Sequence, residues 1–263
     1  MLAPLSTPAP GQIRVGKVAY VKGKRVDPKF PEFTPIVSLT KSTKYGDISP
    51  YCLATEDGRI MENIWQATKV YEWVPQSTQK RSRFDQTVIW SHPAEQHALP
   101  DGNGGWSITN EYMAWRNKLM FAPDPVRYPV GFAHRHKCLF AIGSDPNERL
   151  GYIESRKSIY VPLYDSLVRP TPTFDQLKAR HQRGENLLII EVDGPHSESL
   201  EYYQSTYGVG SDFIEGDTML CTPSNLSIML EDPKHPFGHG YCLAMSLQNL
   251  SVDSLQAIQQ DFS

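Results

Sequence analysis

The sequence predicts a single α+β domain in which several helices surround a small mixed sheet. Residues 187–192 form a continuous apolar run, which is typical of a strand buried on both faces. Helical patterns occur on both sides of this run, and no internal repeat or shift in composition divides the chain. We therefore expect one domain over residues 13–250, a flexible segment at residues 1–12 and a C-terminal tail at residues 251–263.

The composition is that of an ordinary globular protein. The chain has 263 residues, of which 40% are apolar and 21% are charged, with a formal net charge of −3. An acidic balance provides no general basic field for nucleic acid. Short basic clusters at residues 80–83 and 135–137 leave a local nucleic-acid groove possible but not favoured.

The cysteines and the N-terminus bear on the compartment. The four cysteines are scattered and form no CxxC pair, which favours free thiols in a reducing environment. The first residues lack the charge and apolar core of a signal peptide, and no apolar run reaches the length of a membrane span. These features predict a cytoplasmic protein that does not engage a membrane.

The N-terminal third is predicted to contain short strands and one helix. Residues 12–25 alternate in polarity, as in a strand or hairpin, and residues 34–39 and 50–54 are further strand candidates. The pattern from residue 59 to 73 predicts a helix that ends before Pro75, since the residue before proline resists the α region.

The middle of the chain alternates between the two element types. Residues 87–90 resemble a strand, and residues 91–95 resemble the start of a helix. A further helix is expected from a cap at Thr109 or Asn110 to Met120, with apolar residues on one face.

The C-terminal half has the clearest helix signals. We expect a strand at residues 131–142 and helices at residues 152–168, 173–182, 222–232 and 241–250. The strand at residues 187–192 lies between the second and third of these helices.

The most informative polar residues are Glu62, Gln66 and Lys69. At positions i, i+4 and i+7 they would occupy one face of the predicted helix. One interpretation is a solvated polar stripe. The other is an acid, an orienting amide and a nucleophilic amine that line a pocket.

A second candidate acid follows the buried strand. Asp193 precedes a Gly-Pro turn, and a carboxylate at the C-terminal end of a buried strand is a common catalytic placement. The alternative is that Asp193 only begins an Asx-type turn. We expect Asp193, more than Glu191, to reach a pocket.

Three further positions are candidates for ligand binding. Trp115 provides a face on which a base can stack, although a helical tryptophan also suits a core. Arg116 beside it has the planar guanidinium that binds oxyanions. Gly238, His239 and Gly240 form a glycine-rich approach to a helix, where backbone amides favour an anion, or else a simple tight turn.

The sequence contains no strong cofactor motif. A P-loop, a GxGxxG fingerprint and the common serine-nucleophile motifs are absent. His134, His136 and Cys138 alternate in a way that matches no standard zinc spacing. We therefore expect neither a metal nor a cofactor.

Four segments together resemble the NADAR, or YbiA-like, family. Residues 62–69 read Glu-Asn-Ile-Trp-Gln-Ala-Thr-Lys and match the family register Glu-x-x-x-Gln-Ala-x-Lys in full. Weaker likenesses follow at residues 115–120, 188–193 and 238–245. Large insertions at residues 76–110 and 196–217 indicate a divergent branch of that family.

The resemblance implies a YbiA-like fold and cleavage of an N-glycosidic bond in a ribosylated base or nucleotide, without a metal. The substrate would be a small nucleotide-like molecule, either an N-ribosyl or an ADP-ribosyl compound. The alternative is a catalytically silent module that binds ADP-ribose or a nucleotide with the same residues.

Each candidate residue then receives an expected role. Scission of the C–N bond needs a negative group near the anomeric carbon and a proton for the departing nitrogen, which Glu62 and Asp193 would share. Lys69 would stabilise an oxyanion or form a Schiff base with the opened sugar, and Gln66 would orient ribose hydroxyls. Base stacking would fall to Trp115. Phosphate would be bound by Arg116 or by the turn of Gly238, His239 and Gly240.

Overall fold

The structure is a computed structural model that describes residues 9–39, 44–82, 86–129, 136–145 and 147–260. It has an α+β fold with a four-stranded mixed sheet and several small antiparallel sheets, which confirms the predicted fold class. Most of the predicted N-terminal segment and the last three residues of the predicted tail lie outside the described residues. The rest of that tail contains a helix, Val252–Gln260.

The helices occur mainly in the C-terminal half. They are α1 Met61–Ala67, α2 Asn110–Met120, α3 Tyr152–Ser155, α4 Val161–Val168, α5 Pro172–Gln182, α6 Leu200–Tyr207, α7 Pro223–Glu231, α8 His239–Gln248 and α9 Val252–Gln260. A π-helical turn, Arg156–Tyr160, joins α3 to α4, and short 3-10 helices occupy Gly46–Ile48 and Ser197–Ser199. Among the described residues, no helix is both long and apolar enough to cross a membrane.

The strands are short. They are β1 Ile13–Lys17, β2 Ala19–Val21, β3 Lys24–Val26, β4 Thr34–Val37, β5 Lys69–Tyr71, β6 Trp73–Val74, β7 Glu95–Gln96, β8 Ala98–Pro100, β9 Trp106–Ile108, β10 Cys138–Ile142, β11 Arg149–Leu150, β12 Leu187–Glu191 and β13 Thr218–Leu220. They belong to two compact units. The first comprises Met1–Ile48 and Val168–Ser263, and the second comprises Ser49–Leu167. The expectation of one domain over residues 13–250 stays a prediction.

The first unit is organised around the mixed sheet, whose strand order is β13-β1-β12-β4. The central strand β12 runs parallel to both of its neighbours, and β13 is antiparallel to β1. All five residues of β12 are buried, as the continuous apolar run predicts. Helix α8 packs against β1 and β12 and is buried over most of its length, because residues 241–247 are apolar apart from Ser246.

The second unit has a smaller, antiparallel sheet of order β11-β10-β5, together with the two-stranded pair β6-β7 and the hairpin β8-β9. Helix α2 packs against α1, and the hydroxyl of Tyr112 donates a hydrogen bond to the carbonyl oxygen of Ala67 at 2.8 Å. Thr109 caps α2 by accepting from the backbone N–H of Tyr112, which confirms the predicted helix start.

The prediction of a helix over residues 59–73 is wrong in its second half. Helix α1 ends at Ala67, and Lys69 begins strand β5. Strand β5 pairs with β10, and the Thr68 carbonyl accepts from the amide of Ile142 at 2.8 Å. The β-branched and aromatic residues Val70 and Tyr71 suit a buried strand, so pairing with β10 overrides the helical pattern.

Three smaller predictions are also wrong. Residues 50–54 form a turn with one bridge at Ala54 instead of a strand, and residues 87–90 contribute only isolated bridges at Ile89. The expected helix start at residues 91–95 leads into strand β7. Tertiary pairing determines these short segments, whose local signals are weak.

The C-terminal helix predictions are confirmed to within a few residues. The helix predicted at residues 152–168 is the run α3, π-turn and α4. Helices α5 and α7 begin after the capping residues Thr171 and Thr222, each followed by proline in the first turn. Of the strand predicted at residues 131–142, the part Cys138–Ile142 is confirmed, and residues 131–135 lie outside the described residues.

The central strand provides a direct test of the fold. Ile189 is fully buried in the middle of β12. Replacing Ile189 with Ala should lower the free energy of unfolding by about 2–5 kcal/mol, because it leaves a cavity in the sheet core. The measurement is urea denaturation. Val192→Ala is the matched control, since Val192 directly follows the strand with its side chain exposed. Equal losses in the two variants would contradict the central position of β12.

Candidate functional site

Glu62, Gln66 and Lys69 form a hydrogen-bonded chain in the second unit. The Gln66 side-chain amide donates to Glu62 Oε1 at 2.6 Å, and its carbonyl oxygen accepts from Lys69 Nζ at 3.3 Å. Glu62 and Gln66 are 9% and 7% exposed, and Lys69 is partly buried. The structure therefore brings these three predicted residues together in a largely buried arrangement, not on a solvated stripe.

The local backbone explains this geometry. Glu62 and Gln66 are one helical turn apart in α1, so their side chains meet on one face. Lys69 lies beyond the end of the helix, and its ammonium returns towards Gln66 from the first residue of β5. The sequence interpretation placed Lys69 on the same helical face at position i+7, whereas the structure places it at the start of a strand.

Aromatic rings and a thiol surround the lysine. Lys69 Nζ lies 4.7 Å from the ring centroid of Trp65, and the ring of Trp65 contacts that of Tyr160 at 5.1 Å. Burial raises the pKa of the Cys138 thiol, an effect that the nearby positive charge of Lys69 partly offsets. The ammonium thus lies beside an indole face and an un-ionised thiol.

Trp115 lies in the same unit, in a buried aromatic cluster. Its ring contacts Tyr128 at 4.3 Å and His97 at 4.8 Å between centroids, and the residue is 9% exposed. The hydroxyl of Tyr128 donates to Glu95 at 2.8 Å and lies 2.9 Å from His97 Nε2. These contacts give Trp115 a packing role, and the base-stacking role stays a prediction.

Arg116 follows Trp115 on helix α2. It is partly buried, and its Nε atom is buried without a hydrogen-bond partner among the residues that the structure describes. Its positive charge lowers the pKa of Tyr112 somewhat, although burial dominates and leaves that pKa raised. Helix α2, which carries Arg116, packs against α1, which carries Glu62, and the Tyr112 hydroxyl bonds to the last residue of α1. Of the predicted anion-binding residues, Arg116 is therefore the one whose helix contacts the Glu62 helix.

The remaining predicted residues belong to the first unit. The carboxylate of Glu191 accepts from the amide of Gly240 at 3.0 Å and lies 3.1 Å from Nδ1 of His239. A Cβ atom at Gly240 would lie 2.7 Å from that carboxylate, and a Cβ atom at Gly238 would come closer still. The glycines therefore allow a buried acid to approach the helix start, so a carboxylate already occupies the position expected for phosphate.

His239 responds to this acid. Burial disfavours its charged form, but the Glu191 carboxylate and the weaker effects of the Ser38 carbonyl and Asp193 together outweigh burial and raise the pKa of His239. The charge of Asp193 contributes in the same direction, so Asp193 lies near this turn although its side chain is exposed. Glu191 contacts the turn of Gly238, His239 and Gly240 directly.

The predicted site residues thus fall into two groups. Glu62, Gln66, Lys69, Trp115 and Arg116 belong to the second unit, and Asp193, Gly238, His239 and Gly240 belong to the first. The second unit on its own provides the acid, amide, amine and guanidinium. Within the described ranges, no group of three His, Cys, Asp or Glu residues is arranged to hold a metal ion. The expectation of a metal-free site stays a prediction.

The sequence interpretation did not predict two polar clusters. One is Glu95, His97 and Tyr128, which come from separated, weakly patterned segments. The other is Ser199, His235 and Asp232 in the first unit. The sequence offered one signal for the second cluster, namely an Asp and a His three residues apart, each followed by a proline, after a helix end.

Trp115 can be assigned by a stability measurement. Replacing Trp115 with Ala should lower the free energy of unfolding by about 3–5 kcal/mol, because the indole fills space between His97 and Tyr128. Thermal or urea unfolding measures this loss, with Phe121→Ala as the control, since Phe121 follows the same helix and is exposed. Unchanged stability with weaker ligand binding would instead assign Trp115 to base stacking.

Comparisons with known proteins give no family for this chain. No protein-family model, no curated protein and no solved structure matches it. The resemblance of residues 62–69 to the NADAR motif therefore stays a prediction. The function is therefore proposed from the geometry of the residues themselves.

Proposed function

We propose that the chain is an N-glycoside hydrolase that acts on a ribosylated base or nucleotide, with its reacting groups in the second unit. The observation that carries this proposal is the hydrogen-bonded chain from Glu62 through Gln66 to Lys69. It joins a buried carboxylate to an ammonium through one side-chain amide, next to aromatic rings.

The two hydrogen bonds of Gln66 fix the orientation of the three side chains. The Gln66 side chain has an NH₂ group that donates and a carbonyl oxygen that accepts. Only one orientation of this amide directs the NH₂ group to the Glu62 carboxylate and the oxygen to the Lys69 ammonium. The amide also keeps the carboxylate and the ammonium apart, so the two do not form a direct ion pair. Each can therefore interact with a substrate group while Gln66 holds its position.

This arrangement suits cleavage of a C–N glycosidic bond. The reaction passes through an oxocarbenium-like state, which a nearby carboxylate stabilises, and the departing base nitrogen needs a proton. Glu62 is the carboxylic acid of this hydrogen-bonded set, and it takes one of these two roles. Asp193 belongs to the first unit, so its expected role in this reaction stays a prediction.

Lys69 has two chemically distinct roles under this proposal. As an ammonium, it stabilises negative charge on a sugar or base oxygen. As an amine, it attacks the aldehyde of the ring-opened sugar and forms a Schiff base. Its contact with the Trp65 ring orients the side chain for either role.

Arg116 is the proposed phosphate ligand. Its guanidinium is always charged and binds oxyanions through paired N–H groups. Its buried Nε has no hydrogen-bond partner among the described residues, and α2 packs against α1. The turn at Gly238 is less suited to phosphate, because the Glu191 carboxylate already accepts from Gly240.

The acid role is tested by replacing Glu62 with Gln. The purified protein is incubated with a panel of N-ribosyl compounds, including ADP-ribosylated guanine and ribosylamino-pyrimidine phosphates, and released base is measured by mass spectrometry. Glu62→Gln should reduce release by about 10²–10⁴-fold, because it removes the ionisable group and keeps a side chain that can bond to Gln66.

The control for this test is Glu56→Gln, which removes an exposed carboxylate from the same unit and should leave release unchanged. Full activity of Glu62→Gln would contradict the acid role. Tight binding of one compound without release by the parent protein would replace the hydrolase with the alternative, a nucleotide-binding module.

The two roles of Lys69 are separated by two variants. If positive charge is what matters, Lys69→Arg should keep much more activity than Lys69→Ala. If a Schiff base forms, both variants should lose activity equally, and borohydride should trap the sugar on Lys69 of the parent protein. Lys118→Ala, an exposed lysine on α2, is the control. Full activity in both Lys69 variants would remove Lys69 from the mechanism.

A further inference from the structure

A second cluster of reactive side chains lies in the first unit, in residues that the proposed hydrolase does not use. The hydroxyl of Ser199 lies 3.1 Å from Nε2 of His235, and Nδ1 of His235 lies 2.6 Å from Oδ2 of Asp232. The imidazole thus contacts the serine hydroxyl through one ring nitrogen and the carboxylate through the other. This is the connectivity by which a serine nucleophile is activated.

The surroundings of Asp232 favour one tautomer of the imidazole. The carboxylate accepts from the Tyr203 hydroxyl at 2.7 Å, the Tyr202 hydroxyl at 2.8 Å and the Lys234 amide at 2.9 Å. Burial opposes its ionisation, but these donors together with His235 outweigh burial and lower the pKa of Asp232. The anionic carboxylate therefore takes the Nδ1–H of His235, which leaves Nε2 as the acceptor for the Ser199 hydroxyl.

The acid is buried, and the imidazole and the serine are partly exposed. The Asp232 side chain is 0% exposed, the His235 side chain is 25% exposed, and Ser199 is partly exposed. Ser199 stands at the start of α6, and its side chain makes no capping hydrogen bond, so the hydroxyl serves His235 instead. The positive end of the helix dipole lies next to that hydroxyl and favours a developing oxyanion.

A similar set of residue types nearby lacks these properties. Ser38 Oγ lies 2.9 Å from Nε2 of His239, whose Nδ1 faces Glu191. Ser38, however, is fully buried and also lies within hydrogen-bond distance of the Ile190 carbonyl. His239 Nε2 also faces the Ser38 carbonyl at 3.0 Å, which calls for an N–H donor and not a base. That set holds the sheet to α8, whereas Ser199 reaches solvent.

We infer that Ser199, His235 and Asp232 form a Ser–His–Asp catalytic site that hydrolyses carboxylic esters. The half-buried ring of Tyr202 contacts the ring of His235 at 5.2 Å between centroids, and the Lys234 ammonium lies 4.1 Å from the centroid of the Tyr202 ring. The activity is separate from N-glycoside hydrolysis.

The reaction has two balanced steps. Ser199 Oγ forms a bond to the acyl carbon while its proton moves to His235 Nε2, and the ester C–O bond then breaks as that proton passes to the departing alcohol. Water next attacks the acyl-serine and gives a proton to His235, which returns it to Ser199 as the carboxylic acid leaves. The net change is ester plus water to acid plus alcohol.

The test uses the full chain, a fluorophosphonate probe and p-nitrophenyl acetate. The probe should modify Ser199, as located by peptide mass spectrometry, and Ser199→Ala should abolish both modification and ester hydrolysis. His235→Gln should slow both by about 100-fold or more, because the general base is lost. Ser205→Ala is the matched control, since Ser205 lies on the same helix, bonds only to a backbone carbonyl and is exposed.

Two further readouts make the outcome decisive. Far-UV circular dichroism of each variant shows whether it is folded, and base release from N-ribosyl compounds should be unchanged in Ser199→Ala. Glu62→Gln should conversely keep the Ser199 modification, so the two activities fail independently. Absence of modification in the folded parent protein, or equal modification of Ser199 in folded His235→Gln, would overturn the inference.

Discussion

The first unit depends on one buried strand and the acid at its end. Leu187–Glu191 is buried along its whole length between two parallel neighbours, and its last residue directs a carboxylate at the start of α8. An isolated buried carboxylate is costly. Here the amide of Gly240 and the imidazole of His239 stabilise it, and the absence of side chains at Gly238 and Gly240 leaves room for it. Sheet and helix are therefore joined at a charged contact.

In the second unit the equivalent constraint is the change from helix to strand at Thr68. The backbone leaves α1, pairs with β10 and returns the Lys69 ammonium to the side chain of Gln66. Glu62 and Gln66 lie on the helix, and Lys69 donates to Gln66 from the strand, so the three side chains form one hydrogen-bonded set. The same stretch thus serves the core through Val70 and Tyr71 and the candidate site through Lys69.

The two serine-histidine-acid sets illustrate how environment separates structure from chemistry. Both have hydrogen bonds of ordinary length through the two imidazole nitrogens. Ser38 is fully buried directly after β4, and its hydroxyl also lies within hydrogen-bond distance of the Ile190 carbonyl, while His239 also faces the Ser38 carbonyl. Ser199 stands at a helix start with access to solvent. Residue types alone do not distinguish them, but burial and the carbonyls nearby do.

The sequence by itself determined the fold class, the central strand and the C-terminal helices. Those elements have strong local signals, such as the apolar run of β12 and the threonine caps before α5 and α7. It also predicted Glu62, Gln66 and Lys69 as one group, because positions i, i+4 and i+7 share one face of a helix. Tertiary structure alone decided the end of α1, the packing of Trp115, the approach of Glu191 to the glycine turn, and the meeting of Ser199 with His235. Each of these depends on contacts between residues far apart in the chain, which local periodicity does not encode.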